Sequence, residues 1–359
     1  MMIRTASWET CSIDSIRCIT PPAGRPGPIR FALAKRLFDW ELRSDWELFA
    51  GAAARYADVL GEDGLAAYRK LAEAHWARIR PIGPGAPDSD RHGKRFRITS
   101  IMETLARQAG DLEALIAIKQ RDLSLPYDYL EISDLYRQAG SHDLALQWAE
   151  RGMRAFPEHP DGRLREFLTE EYHRGNRHED AMALVWAEFE AAPYLQQFQN
   201  LKLHADRIGR WAEWRDRAIA RMRDQIALPR HDRRNPSGWS AQADHSELVE
   251  ILLWEGDSEA AWQEAHAGGC SGALWLDLAA HREENHPEEA LEVYRHQVEP
   301  TLAPAKHESY RQTVALLRKI RGLMARLGRN QDFRPYLESI GTLHKRKRNL
   351  IRMLDRAKW

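Results

Sequence analysis

The amino-acid sequence predicts an all-α fold, an α-solenoid of antiparallel helix pairs, and three observations carry that expectation. Apolar residues return at intervals of three and four along most of the chain, the spacing that places them on one face of a helix. Short turns marked by Gly or Asn interrupt this pattern at Gly110-Asp111, Gly140-Ser141, Gly175-Asn176, Gly209-Arg210, Gly256-Asp257, Asn285-His286 and Gly328-Arg329, where a left-handed residue can end the first helix of a pair. No stretch sustains the period-two alternation of a half-buried strand, so no sheet is expected.

Each segment follows from its composition. Residues 1–28 close on Pro21-Pro22, Gly24, Pro26 and Pro28, which forbid a continuous helix, and read as an irregular leader. Residues 29–80 form an N-terminal helical segment of three helices, with Leu33, Leu37 and Trp40, then Leu48, Ala52, Tyr56 and Val59 at helical spacing. Gly61 and Gly64 break the pattern there before Leu65 restarts it. Residues 81–94, rich in Pro and Gly and ending in Asp88-Ser89-Asp90, read as an exposed loop and a segment boundary. Residues 95–228 hold the best-formed repeats, 229–244 form a second Pro- and Arg-rich loop between two halves that can flex, and 245–359 hold degenerate repeats with a basic C-terminal helix. The Asp or Ser after several turns is placed to cap the following helix.

The clearest unit runs Tyr129, Ile132, Ser133, Tyr136, Gly140, Ala145, Ala149, Gly152, Pro157. Large residues on the first helix wedge against small ones on the second, and the Pro stops the second helix before the next unit begins. Ala181 and Pro193 stand 36 residues beyond Ala145 and Pro157. This pattern resembles the tetratricopeptide repeat, whose period is about 34 residues, so the pairs are expected to be TPR-like. Trp214 takes the place of the small residue in the next unit, and later units keep only the turn and Ala261 or Ala290.

Composition narrows the function classes. Charged residues make up 30% of the chain and hydrophobic ones 43%, a balance that supports a buried core. Lys plus Arg and Asp plus Glu number 53 each, yet the charge is unevenly spread. From Arg311 to Trp359 there are 14 basic and 3 acidic residues, a net of +11, which leaves 39 basic against 50 acidic and a net of −11 for residues 1–310. Only Cys11, Cys18 and Cys270 are present, too few for a disulfide framework, which points to a reducing, cytoplasmic setting. No apolar run reaches the roughly 18 residues of a membrane-spanning helix, so no membrane association is expected.

No phosphate-cradling Gly-rich loop ending in Gly-Lys-Ser/Thr, no Gly-x-Ser-x-Gly elbow and no His-Glu-x-x-His helix occurs. The chain is therefore expected to be non-enzymatic and to use no cofactor or metal. Cys11 and Cys18 are spaced too widely for a structural zinc pair. Gly268-Gly269 between His266 and Cys270 reads as a helix end rather than a ligand pair. The histidine pairs His173 with His178 and His281 with His286 have i,i+5 spacing, which does not share a helical face, so they read as surface residues. Asp88-Ser89-Asp90 reads as solvated loop. Most of the 13 tryptophans, among them Trp46, Trp76, Trp148, Trp186, Trp211, Trp214, Trp254, Trp262 and Trp275, read as packing between helices, with a minority lining a groove.

The most specific charged feature is His344-Lys345-Arg346-Lys347-Arg348-Asn349, continued by Arg352, Arg356 and Lys358. On a helix these cations surround most of the circumference, leaving Leu343, Leu350, Met353 and Leu354 to dock. That is the polar outer face a terminal repeat needs. It also makes Lys345, Arg346, Lys347, Arg348 and Arg352 the candidate contacts for nucleic acid or an acidic partner.

The stretches Ala34-Lys35-Arg36-Leu37-Phe38-Asp39-Trp40, Tyr56-Ala57-Asp58-Val59-Leu60-Gly61, Ile101-Met102-Glu103-Thr104-Leu105-Ala106, Tyr127-Asp128-Tyr129-Leu130 and His344-Lys345-Arg346-Lys347-Arg348-Asn349-Leu350 resemble the helical-repeat region of bacterial SWIM zinc finger proteins, over roughly residues 29–359. The resemblance implies helical repeats beside a finger of the form Cys-x-Cys and Cys-x-His that binds DNA or protein. Neither element of that finger occurs in this sequence, so no zinc role carries over, and the chain looks like the repeat portion alone. The leading expectation is a scaffold binding a protein or peptide in a helical groove. The alternative is a nucleic-acid-associated protein acting through its basic C-terminal helix. The sequence leaves the partner's identity and the oligomeric state open.

Overall fold

The computed structural model describes residues 27–43, 49–87, 92–157, 161–227, 245–357 and 359. Among them are 18 helices and no strand beyond a single bridge between Ile82 and Asp122. The fold is all-α, an α-solenoid of TPR-like helix pairs. Residues 1–26 of the expected leader, Trp46, Leu48, Cys11, Cys18, Asp88-Ser89-Asp90, Lys358 and the 229–244 loop lie outside the described residues, whereas Gly27 and Pro28 open the first helix, where a Pro is tolerated. No helix among the described residues is long and apolar enough to cross a membrane.

Two compact units divide the chain, Met1–Ala181 and Met182–Trp359. The division falls inside a helix, while both flanks of the Pro/Gly loop belong to the first unit.

The first unit begins with α1 (Gly27–Arg43), α2 (Ala52–Arg55) and α3 (Ala57–Trp76); three is the number expected, but α2 ends at Arg55 rather than running through Tyr56 and Val59, and the third helix starts at Ala57 rather than Leu65. Gly61 interrupts α3 with φ 60°, but Gly64 does not; it is buried in the helix beneath Leu60 and the Arg30 carbonyl. Glu41, buried to 9% exposure, accepts hydrogen bonds from the amides of Gly51 (2.7 Å) and Ala52 (3.2 Å) and from the Tyr68 hydroxyl. The carboxylate thus satisfies orphan donors at the start of α2. The Pro/Gly loop is anchored, since Ile82 exchanges backbone bonds with Arg121 and Leu123, and Arg121 donates to the carbonyls of Trp76 (2.8 Å) and Ile79 (3.0 Å).

Three pairs follow: α4 (Lys94–Ala109) with α5 (Leu112–Lys119), α6 (Pro126–Gln138) with α7 (His142–Ala155), and α8 (Gly162–Arg174) with α9 (His178–Ala191), which crosses into the second unit. The packing rule read from the sequence holds. Tyr129, Ile132, Ser133 and Tyr136 are buried on α6 against Ala145, Ala149 and Gly152 on α7. A Cβ at Gly152 would lie 2.7 Å from Tyr129 Cβ and 2.8 Å from Leu164 Cδ2, so only Gly permits this approach. Helices α7 and α9 end just before Pro157 and Pro193.

The second unit continues with α10 (Leu195–Arg207), α11 (Trp211–Ala227), α12 (Ser246–Trp254), α13 (Ser258–Gly268), α14 (Gly272–Arg282), α15 (Pro287–Leu302), α16 (His307–Arg326), α17 (Asn330–Leu343) and α18 (Arg348–Arg356). One core gathers Phe189, Phe198, Trp186 and Trp214 with Leu248 and Ile251; another gathers Tyr294, Leu317, Ile320, Leu350 and Leu354.

The expected turns differ from the sequence reading at two places. Gly110, Gly140, Gly209, Gly256 and Gly328 are left-handed, but at the third turn it is Asn176 (φ 57°) and not Gly175 that takes this conformation. Asn285 is not left-handed. Asp111 and Asp257 cap their helices by accepting from Ala114 N (2.9 Å) and Ala260 N (3.0 Å), while Ser141 makes no such bond.

Candidate functional site

The first helices of successive pairs α4, α6 and α8 face one recess of about 470 Å³, with Lys119 at the end of α5 closing one side. The repeat explains the alignment. Tyr127, Leu130, Glu131 and Asp134 on α6 stand 36 residues before Arg163, Glu166, Phe167 and Glu170 on α8, and all eight line the recess. Equivalent positions on stacked helices meet, so the Arg163 guanidinium lies 4.7 Å over the Tyr127 ring.

Charged groups in the recess are held by specific partners. Arg163 donates to Asp161 through Nε (3.2 Å) and Nη2 (2.8 Å), and this bidentate grip holds the Asp161 carboxyl below the usual carboxylate range. Arg137 pairs with Asp134 and stacks 4.6 Å over Phe167. Lys119, only 9% exposed in its side chain, donates to Glu103 (3.1 Å) and Glu131 (2.9 Å). Burial alone would lower the Lys119 pKa, but the two carboxylates outweigh it and hold the ammonium above its ordinary range. Tyr127 is 41% exposed, a large amphipathic ring facing solvent among fixed charges. The arrangement offers recognition: an apolar floor, one open aromatic face, and immobilised groups of both signs.

The candidate contacts at the C-terminus sit differently from expectation. His344, Lys345, Arg346 and Lys347 lie in the turn between α17 and α18, not on a helix, because α17 stops at Leu343. His344 Nε2 meets Glu299 Oε1 at 2.8 Å, and Lys347 donates to the Leu302 carbonyl at 3.0 Å, tying the turn to the end of α15. Lys345, Arg346, Arg348 and Arg352 are exposed. Leu350 and Leu354 dock as expected, whereas Leu343 is 68% exposed.

The histidine pairs correct the sequence reading. His173 and His178 do meet, Nδ1 to Nδ1 at 2.9 Å, because the chain turns between α8 and α9 and the two need not share one helix. His173, His204 and His245 are buried rather than superficial. His281 and His286 are exposed. Gly268-Gly269 is the helix end expected, with Gly269 at φ 78°. Among the described residues no group of three or more His, Cys, Asp or Glu is arranged to hold a metal ion.

No family model matches the chain, and no curated protein matches it. Solved structures similar to it include that of Naa15/Naa10 bound to HypK-THB, at 14% identity and a TM-score of 0.36 over 90% of this chain and 44% of that one. The chain thus spans less than half the length of that relative. A monomeric mutant of IFIT1 with m7Gppp-AAAA is similar at 11% identity and a TM-score of 0.24, over 86% of this chain and 73% of that one. A circular tandem repeat protein is similar at 18% identity and a TM-score of 0.15, over 91% of this chain and 72% of that one.

Proposed function

We propose that this chain is a non-enzymatic scaffold that binds a protein or peptide segment in the groove lined by α4, α6 and α8. The observation that carries the reading is the recurrence, at 36 residues, of one groove-facing set on successive helices, with Tyr127 open to solvent between fixed cations and carboxylates. Aromatic and Arg side chains dominate binding energy at interfaces, and preset charges fix register at little entropic cost. Arg163 and Arg137 are held in place before any partner arrives.

The test is affinity capture from the native host, with and without nuclease, using the natural chain and a Tyr127→Ala/Arg163→Ala variant that keeps its helical circular dichroism. A protein partner that survives nuclease and is lost from the variant supports the groove. A captured protein retained undiminished by the variant would overturn it.

A second reading rests on the exposed cations Lys345, Arg346, Arg348 and Arg352. It makes the chain a nucleic-acid-associated relative of the SWIM zinc finger proteins. Captured nucleic acid that disappears when Lys345, Arg346, Lys347 and Arg348 become Ala, and whose binding weakens steeply with salt, favours that reading over the groove.

A further inference from the structure

We propose that the second unit carries a separate binding site, for a cationic side chain of a basic peptide, in the recess between α13, α14 and α15. The recess measures about 840 Å³, within the range of cavities that hold ligands of drug size. One wall is aromatic. Trp262 and His266 stand one turn apart on α13 with ring centroids 4.6 Å apart, and Trp275 on α14 stands 5.8 Å from Trp262 and 5.1 Å from His266. The three rings meet edge to face at 63° to 87° and fix one another's orientation.

One face of α15 also lines the recess and carries Glu289, Glu292 and His296, while no Lys or Arg lines it. Glu289 is committed within the chain, since its buried Oε2 lies 3.0 Å from Arg282 Nη1. Glu292 is exposed and forms no ion pair among the described residues. The recess therefore presents electron-rich rings and the free Glu292 carboxylate, while Arg282, the cation beside it, is committed to Trp262, Glu259 and Glu289 and is not part of its lining. That chemistry is complementary to a guanidinium or ammonium. It repels phosphate.

The chain itself demonstrates the contact. The Arg282 guanidinium, buried to 6% exposure, sits 4.3 Å over the Trp262 ring and donates to Glu259 Oε2 at 2.6 Å. An incoming arginine would meet the same indole chemistry, with Glu292 as counter-charge and its apolar stem against Trp275. The recess is larger than one side chain, so the fitting occupant is an extended peptide that places a basic residue in it.

The test is fluorescence anisotropy at pH 8 with fluorescein-labelled Gly-Arg-Gly-Arg-Gly and the same peptide with citrulline for arginine. Saturable binding of the arginine peptide is expected, at least ~10-fold tighter than its neutral counterpart. Glu292→Gln is expected to weaken it by roughly 3- to 10-fold and Glu292→Lys to abolish it, with melting temperatures unchanged because the position is exposed. Trp275→Phe, which keeps an aromatic ring, is expected to bind more tightly than Trp275→Leu. Equal affinity for the citrulline peptide, undiminished binding by Glu292→Lys, or absence of binding to either peptide would overturn the proposal. So would loss of arginine-peptide binding in the Tyr127→Ala/Arg163→Ala variant with retention in Glu292→Lys, which would place the peptide in the groove of the first unit.

Discussion

Replacing Gly152 by Ala sets two effects of known size against each other. Gly152 lies in α7, and exchanging an interior helical Gly for Ala normally stabilises by about 0.5–1 kcal/mol through backbone entropy and propensity. Here the added methyl would stand 2.7 Å from Tyr129 Cβ and 3.0 Å from Tyr129 Cγ, where ordinary contact begins near 3.4 Å. Tyr129 Cβ is fixed by the α6 backbone and no rotamer change removes it. Leu164 Cδ2, at 2.8 Å, can rotate, but Leu164 is fully buried and has little room. Helix α6 or α7 must therefore move by about 0.7 Å, and overpacking of this kind typically costs about 1–3 kcal/mol or more. Overpacking wins, and a net loss of roughly 1–2 kcal/mol is expected. The matched control is Gly322→Ala in α16, which has no heavy atom within 4 Å of the new methyl and should gain roughly 0.5–1 kcal/mol. Urea unfolding followed by circular dichroism reports both, each against the natural chain. A Gly152→Ala variant as stable as the natural chain, beside a stabilised Gly322→Ala, would refute the close approach of α6, α7 and α8.

Other expectations concern buried charge and a second close contact. Lys119→Met leaves Glu131 without its cation and Glu103 with only Arg107 (2.7 Å), and should destabilise the first unit by roughly 1–3 kcal/mol, less than a fully buried pair because Glu131 reaches solvent; adding Glu131→Gln should restore part of the loss in the same urea assay. Burial would raise the Glu283 pKa, but donation by Lys319 (2.8 Å) and Tyr294 outweighs it and holds the carboxyl below the ordinary glutamate range. Its contribution is therefore complete above the unfolded pKa of about 4.3 and lost as pH falls through the lower folded value. Glu283→Gln should consequently be less stable than the natural chain at pH 7 and converge on it toward pH 3, as thermal melts across that range would show. Burial and the Glu283 hydrogen bond push the partner Tyr294 hydroxyl up to about 12, so no phenolate absorbance from it should appear on titration to pH 10.5. Gly268→Ala places a methyl 1.9 Å from His245 Nε2 and should force the buried ring away from Glu264, now 2.6 Å from its Nδ1, at a cost of roughly 2–3 kcal/mol in a thermal or urea melt.

Much of the fold was legible because helix pairs are local objects. The residues that decide where a helix starts, stops and turns its apolar face lie within a few positions of one another, and short-range periodicity records them. Tyr129, Ile132 and Tyr136 against Ala145, Ala149 and Gly152 could be paired from their spacing, and the structure packs them as expected. The groove was legible in principle. Its residues follow the same 36-residue repeat as Ala145 and Ala181, but they are mixed charges and rings with no motif of their own.

What composition and spacing determined on their own is the helical class, the turns that separate most helices, and the small residues that let pairs close. Each of these depends on backbone geometry within one or two turns of chain. Only the tertiary structure decided which charges face each other and which histidines are buried. His173 meets His178 because a turn intervenes, Lys119 joins Glu103 and Glu131 from two other helices, and Trp262, Trp275 and Glu292 gather from three. Side chains brought together by the stacking of separate helices leave no mark at short range, since their separation along the chain is set by helix and turn lengths and not by the chemistry they share.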